Sequence, residues 1–206
     1  MSTPAFFPVT FLLSAARWDD LPAEPRPEVA FVGLSNVGKS SLLNALIGRR
    51  ALAKVSGTPG KTRTFNYYEA AAGRFFLVDV PGFGYAKVAQ TERDRWARLI
   101  GRYAIERESL RLLLHLVDSR HAPTALDRAV FESVHADRYA VILTKADKLS
   151  ANGRSKAAGE VRRVLADFQL GHVPVVLTSA ETGLGMDDVR ALVADAAGMV
   201  DVPTPE

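Results

Sequence analysis

From residue 28 onward the chain alternates short apolar runs with amphipathic segments of helical spacing. The run "EVAFVG" (28–33) is a buried-type strand ending in a glycine turn, and "KSSLLNALI" after it places Leu42, Leu43, Leu46 and Ile47 on one helical face. "RTFNYYEA" and "RFFLVDV" are two strands joined around "AAG", where Gly73 supplies the turn of a hairpin. "TERDRWARLIGRYAIERE" opens on the capping pair Thr91 and Asp94 and carries Trp96, Leu99, Ile100 and Tyr103 along one face, which predicts a helix. Strand and helix patterns then alternate through "LRLLLHLVDS", "ALDRAVFESVH", "YAVILTKAD", a helix within 154–168, "VPVVLTSA" and "MDDVRALVADAA".

Continuous apolar strands separated by amphipathic helices predict an α/β architecture: a mixed, mainly parallel sheet of six strands with helices on both faces, three layers in all. One doubly wound domain is expected over residues 28–198, with an N-terminal extension (1–27) packed on the core and a flexible tail (199–206). The opening stretch "AFFPVTFLLSAA" has no Lys or Arg before it and is interrupted by Pro8, so it reads as part of that extension rather than as a signal peptide. No run approaches the roughly 18 apolar residues of a membrane span. The chain has no cysteine, which excludes disulfides, thiolate metal sites and cysteine-linked lipid anchors. A net charge of +3 says little by itself. Its distribution says more: Arg49, Arg50, Lys54, Lys61 and Arg63 occur with no carboxylate among them, either as a solvated loop or as a surface for nucleic acid. The helix from 91 to 108 adds Arg93, Arg95, Arg98 and Arg102, partly offset by Glu92, Asp94, Glu106 and Glu108.

The candidate chemistry lies where strands end. "GLSNVGKSS" fits the phosphate-binding pattern G-x-x-x-x-G-K-[ST] between a strand and a helix, with Gly33, Leu34, Ser35, Asn36, Val37, Gly38, Lys39, Ser40 and Ser41 as its residues. Backbone N–H groups and the helix N-terminus can meet phosphates there, Lys39 can reach the β and γ phosphates, and Ser40 can give Mg²⁺ a hydroxyl ligand. "DVPG" follows the next long buried strand. Asp79 can hold Mg²⁺ through water, and the Gly82 N–H, after Val80 and Pro81, is a candidate γ-phosphate sensor. "TKAD" (Thr144, Lys145, Ala146, Asp147) selects the base. The Asp147 carboxylate can accept from N1–H and N2–H of guanine, whereas adenine would present an acceptor to the same charge. Lys145 can lay its stem over the base, and "TSA" (Thr178, Ser179, Ala180) can offer the Ala180 N–H to the guanine O6. The ligand read from these elements is GTP or GDP with Mg²⁺. The turn-rich stretch "SGTPGKTRT" (56–64) contains Thr58 and Thr62, either of which could complete the Mg²⁺ shell and contact the γ-phosphate. His115 and Trp96 read as core residues, and Arg120 and His121 as braces near the site.

These stretches together resemble the EngB (YihA/YsxC-type) ribosome biogenesis GTP-binding proteins, in the TrmE-Era-EngA-EngB-Septin branch of GTPases. The resemblance spans about residues 5 to 195 and is most specific in "SNVGKSSLLNAL", "TPGKTRTFNYY", "DVPGFGYAKV", "VDSRHAPTALD" and "LTKADKL". It implies the three-layer P-loop GTPase (Ras-like) fold, GTP hydrolysis in the cytoplasm, and a switch role in assembly of the large ribosomal subunit, with rRNA and ribosomal proteins as partners. A monomer with no membrane association is expected; the competing reading is a signalling or trafficking GTPase. The resemblance favours Thr62 as the Mg²⁺ threonine, within the loop of Gly60, Lys61, Thr62, Arg63 and Thr64, so that Lys39, Thr62 and Gly82 act at the γ-phosphate and Ser40 and Thr62 bind the metal. Phe83 stands where relatives usually have Tyr, and Thr144 where many GTPases have Asn. A phenylalanine after the Asp-x-x-Gly glycine cannot orient the attacking water as glutamine does in Ras-like enzymes, so intrinsic hydrolysis is expected to be slow. Asn36 matches a position at which related GTPases bind a monovalent cation such as K⁺; the alternative is an asparagine that braces the loop.

Overall fold

Successive residues of a strand face opposite sides of a sheet, and here both sides are covered. In the computed structural model, which describes residues 8–48, 64–82, 90–134 and 138–199, Val29 and Phe31 enter one core while Ala30 and Val32 enter the other. These four belong to strand β2 (Glu28–Gly33), fully buried along its length. Strand β6 (Tyr139–Thr144) divides in the same way, with Ala140 and Ile142 on one side and Val141 and Leu143 on the other. Residues buried on both faces give the unbroken apolar runs of the sequence.

The remaining strands are β1 (Val9–Ala15), β3 (Phe65–Ala70), β4 (Phe75–Asp79), β5 (Leu110–Asp118) and β7 (Val175–Leu177). The helices are α1 (Lys39–Ile47), α2 (Gln90–Glu106), α3 (Ala125–Ser133), α4 (Ala151–Asp167) and α5 (Met186–Ala196). The sheet order is β1-β3-β4-β2-β5-β6-β7. Pairing is parallel from β4 through β7 and antiparallel for β1 with β3 and β3 with β4. Helices α1 and α5 cover one face through Leu42, Leu46, Val189 and Val193. Helices α2, α3 and α4 cover the other through Ile100, Phe131 and Val161.

The sheet therefore has seven strands, not the expected six. The added strand is β1, from the N-terminal extension, whose register runs from Val9 opposite Ala70 to Ala15 opposite Phe65 with an irregularity between Phe11 and Leu13. That irregularity disrupts the two-residue alternation and hides the strand from a periodicity argument. Without β1, strand β3 would expose a row of unpaired backbone groups. The β3–β4 hairpin forms as expected, although Ala71 (φ 51°) and Ala72 (φ 55°) share the left-handed turn with Gly73. Helix α4 starts three residues before the expected span, because the Ser150 hydroxyl accepts from the Gly153 N–H at 3.2 Å. Helix α2 starts at Gln90, which puts Thr91 inside it rather than at its cap. Met199 is buried at the end of α5, so the expected tail is packed at its first residue; residues 200–206 lie outside the described ones.

At the amino end of β2, Glu28 is fully buried and accepts from Tyr103 Oη (2.5 Å), Ser109 Oγ (3.0 Å), Tyr67 Oη (3.3 Å) and the Arg107 guanidinium (Nε, 2.9 Å). Burial and the Glu28 carboxylate push the Tyr67 and Tyr103 phenols up, so both remain donors. Arg107 also donates to the Pro22 carbonyl at 2.6 Å, which ties the N-terminal segment to the same point. Another polar tie lies in the core. His115 contacts Tyr139 Oη through Nδ1 (2.6 Å) and Asp127 Oδ1 through Nε2 (3.0 Å), a satisfied core histidine as the sequence indicated. Burial alone would raise the Asp127 pKa, but hydrogen bonds from His115 and Thr124 outweigh it and hold it below the usual value.

Glu28→Ala should destabilise the protein by about 3–5 kcal/mol, because it leaves the Arg107 charge and the phenol donors without their shared acceptor. Urea unfolding monitored by circular dichroism measures the loss; a change under about 1 kcal/mol would contradict the tie.

Candidate functional site

Parallel pairing brings the carboxyl ends of β4, β2, β5, β6 and β7 to one edge of the sheet, where an open α/β fold holds its ligand. The loop after β2 is built for close approach. A Cβ on Gly33 would lie 2.7 Å from the Leu116 carbonyl of β5, and Gly38 (φ 108°) turns the chain into α1. Helix α1 starts at Lys39 with no acidic residue in its first turn, so the free N–H groups and the positive dipole end face the loop uncompensated. Lys39 Nζ lies 2.6 Å from Asp79 Oδ1 at the end of β4, and both side chains are nearly buried. Gly82 lies against the same loop: a Cβ there would stand 3.5 Å from Lys39 Nζ and 3.6 Å from Ser35 Cα. The intervening Val80 N–H donates to the Phe31 carbonyl at 3.1 Å, and Trp96 on α2 donates its indole N–H to the Pro81 carbonyl at 2.9 Å.

The base-reading elements meet the phosphate loop from the other side. Thr144 donates its hydroxyl to the Val37 carbonyl at 2.6 Å, so the threonine found in place of asparagine still joins the two loops. Lys145, in the left-handed region (φ 59°), donates from Nζ to the Asn36 carbonyl (2.7 Å) and to Asp118 Oδ2 (2.8 Å). Ala146 is buried, and its N–H donates to the Thr178 carbonyl at 3.0 Å, which ties the β6 loop to the β7 loop. The buried Ser179 donates to Asp147 Oδ1 at 2.7 Å and accepts from the N–H groups of Glu181 and Thr182. Ser179 and then Lys148 bring the Asp147 carboxyl down to about 2, which keeps it an acceptor at neutral pH. Ala180 is exposed at the rim.

Asp118 is a candidate site residue that sequence reasoning missed. Its carboxylate receives Lys145 on one side and Arg120 on the other, from Nε at 2.9 Å, from the second guanidinium nitrogen at 2.8 Å and from the backbone N–H at 3.1 Å. Burial alone would raise its pKa, but these donors hold it well below the usual carboxylate range. Arg120, left as a loop brace, thus braces the carboxylate that holds Lys145. The sequence signal was an acidic residue at a strand's carboxyl end, with nothing in the pattern to say which lysine it meets. Ser35, Asn36 and Ser41 sit in the loop and the first turn of α1 as expected. Thr64 donates to Asn66 Oδ1 at 3.3 Å, and Asn66 pairs with Asp79 across the hairpin. Thr58, Gly60, Lys61, Thr62, Arg63 and Phe83 lie outside the described residues.

Ser40 on α1 and Asp79 on β4 offer hard oxygen donors only, a set that suits Mg²⁺, which takes one or two protein oxygens and completes its shell with phosphate and water. Among the described residues no group of three or more His, Asp or Glu could hold a metal by protein ligands alone. A site of this kind needs the nucleotide's own phosphates to be complete.

A family model described as 50S ribosome-binding GTPase matches residues 28–145. A protein named "Probable GTP-binding protein EngB" from Desulfovibrio desulfuricans is 44% identical over 200 residues, covering 96% of both chains. The chain belongs to the EngB family of GTP-binding proteins. A second relative of that name, from Pelotomaculum thermopropionicum, is 44% identical over 191 residues, covering 92% of this chain and 95% of its own. A crystal structure titled as a probable GTP-binding protein engB superposes with a TM-score of 0.61 at 20% identity, covering 83% of this chain and 98% of that one. As an EngB-family P-loop GTPase the chain binds GTP and hydrolyses it. No helix among the described residues is long and apolar enough to cross a membrane.

Asp118→Asn should weaken GDP binding roughly tenfold by releasing Lys145 from a charged partner, whereas the exposed Arg120→Ala should cost only about two- to threefold. A depressed pKa means that the carboxylate's contribution is fully present above its ordinary value and is lost only as pH falls through the depressed one. The Asp118→Asn defect should therefore be constant from pH 5 to pH 8 in calorimetric titrations; a defect that disappears toward pH 8 would contradict the arrangement.

Proposed function

We propose that the protein is a slow GTPase that acts as a nucleotide-dependent switch on the assembling large ribosomal subunit. The observation that carries this reading is the convergence of four strand-end elements, the phosphate loop, "DVPG", "TKAD" and "TSA", in a chain whose residues 28–145 match a family described as 50S ribosome-binding GTPase. In it, the loop from Gly33 to Ser41 and Lys39 bind the phosphates, Asp147 and Lys145 hold guanine, and Ala180 faces the guanine O6. Gly82 and Thr62 read the γ-phosphate. Ser40 and Thr62, with Asp79 through water, hold Mg²⁺, which supplies neutralisation of charge on the β and γ oxygens. Asn36 is the candidate K⁺ ligand; its left-handed backbone (φ 62°) turns its carbonyl to Lys145. The proposal places a monomer in the cytoplasm.

The RNA-facing surface in this reading is the basic loop of Lys54, Lys61 and Arg63, which lies outside the described residues. Arg98 and Arg102 of α2 are exposed, but Arg102 is engaged with Glu106 at 2.7 Å and stacked 4.1 Å over the Trp18 ring, which leaves it less free to meet a phosphate.

Asp147→Asn should lower GTP affinity by at least about tenfold and raise xanthosine triphosphate affinity, because an amide can donate to the carbonyl that xanthine carries in place of the guanine amine. Equal GTP affinity in variant and parent would remove Asp147 from the base pocket. For the partner, cosedimentation with large ribosomal subunits should be strongest with a non-hydrolysable GTP analogue and should weaken steeply with salt. Charge reversal at Lys54 and Arg63 should reduce that association and spare GDP affinity. Undiminished retention of the double variant across a salt titration would place the contact elsewhere.

A further inference from the structure

We infer that Trp96 is a positioning residue for γ-phosphate recognition: its indole N–H fixes the orientation of the peptide unit between Pro81 and Gly82, which lies against the phosphate loop. This rests on the reading of Gly82 given under the proposed function.

The argument begins with the planar peptide. In a trans peptide the carbonyl and the N–H of one unit point in opposite directions, so whatever holds the Pro81 oxygen also aims the Gly82 hydrogen. Trp96 Nε1 donates to that oxygen at 2.9 Å from the α2 side. At the Gly82 end of the same unit, Lys39 Nζ and Ser35 Cα stand 3.5 and 3.6 Å from where a Cβ would be. The backbone torsions of the two residues do not themselves hold the amide in place. Proline fixes its own φ but not its ψ, and glycine rotates about φ at little cost. The unit can therefore turn as a rigid plate between Pro81 and Gly82 unless an outside donor retains it.

The donor is presented from a fixed support. Trp96 is 8% exposed, so its N–H has little water to turn to instead. Farther along the helix, a Cβ on Gly101 would approach Ser133 Cβ of α3 to 3.2 Å, and the Tyr103 hydroxyl is bonded to the buried Glu28. Helix α2 thus has little freedom to follow the amide. Rotation of the plate would break the indole bond and leave a buried Pro81 carbonyl and a buried indole N–H without each other. The amide orientation that faces the phosphate loop is favoured before any γ-phosphate arrives, and α2 registers any departure from it.

Binding of the non-hydrolysable GTP analogue and of GDP should be measured for the parent, Trp96→Phe and Gly82→Ala. Trp96→Phe keeps an aromatic ring in the core but removes the donor. It should lower affinity for the analogue about five- to tenfold while GDP affinity stays within twofold. Equal losses for both nucleotides, or no loss for either, would overturn the inference. Gly82→Ala separates it from the reading beneath it. If Gly82→Ala loses the preference for the analogue and Trp96→Phe retains it, Gly82 reads the phosphate without help from Trp96. If Gly82→Ala also retains it, the Gly82 reading itself fails. A second measurement does not depend on folding of the Trp96 variant. The chain has two tryptophans, so Trp18→Phe leaves one indole N–H resonance. That proton should exchange with solvent more slowly with the analogue than with GDP, and an indole that exchanges equally fast in both states would overturn the inference.

Discussion

Parallel strands cannot be joined by a tight turn; each connection must cross a face of the sheet and return to the starting edge. The five parallel strands from β4 to β7 therefore end together, and the loops after β2, β4, β6 and β7 are brought to one edge by that constraint. Gly33, Asp79, Asp118, Thr144 and Leu177 are the last residues of their strands or lie one step from the loops that read phosphate and base. The opposite edge is used differently. There the buried Glu28 gathers donors from β3, from α2 and from the segment before β5, so the strand that carries the phosphate loop is anchored at the end away from its ligand. Chemistry and anchorage are separated by the length of β2.

The cations of the site are held by carboxylates within the protein. Lys39 faces Asp79 and Lys145 faces Asp118, and each pair is largely shielded from water. The two pairs differ in how tightly the acid is committed. Asp118 takes Lys145 together with the Arg120 guanidinium and backbone, so its charge stays fixed where the base is held. Asp79 has Lys39 as its ion-pair partner among the described residues, and a metal can share that carboxylate when phosphates draw the lysine. Asp118 is thus braced by several donors of the protein, whereas Asp79 meets a single lysine among the described residues.

Most of the sheet was legible because continuous apolar runs have one common explanation in an α/β protein, and each helix face matched the core it meets. Strand β1 was not legible, since the irregularity near Leu12 disrupts the alternation and leaves Phe11 and Leu12 exposed. The convergence of the loops after β2, β4, β6 and β7 was legible because glycine, lysine and aspartate at those spacings have few other uses. Asp118 and Trp96 were not, for a shared physical reason. Each acts through another residue, Lys145 or the Pro81 carbonyl, that is distant in sequence. Periodicity can place an acid at a strand end or an indole on a helix face, but the partner is decided only when the loops are assembled.

The hydrogen bonds also divide the site into a part that can sense the nucleotide's state and a part that cannot. Thr144 bonds the Val37 carbonyl, Lys145 bonds the Asn36 carbonyl, and Ala146 bonds the Thr178 carbonyl, so the base loops and the phosphate loop form one connected body. GTP and GDP present the same guanine, ribose and first two phosphates to that body. A ligand shifts an equilibrium only by its difference in affinity for the two states, and here the difference is confined to the γ-phosphate. The segment ending at Gly82 meets the phosphate loop through the Asp79–Lys39 pair and the close approach of Gly82 rather than through the hydrogen bonds that join the base loops to it. Its hydrogen bond away from the site goes to α2 rather than to another nucleotide-binding loop. The Trp96 bond gives a signal read at this segment a route out of the site through α2, on the face of the sheet opposite α1 and α5.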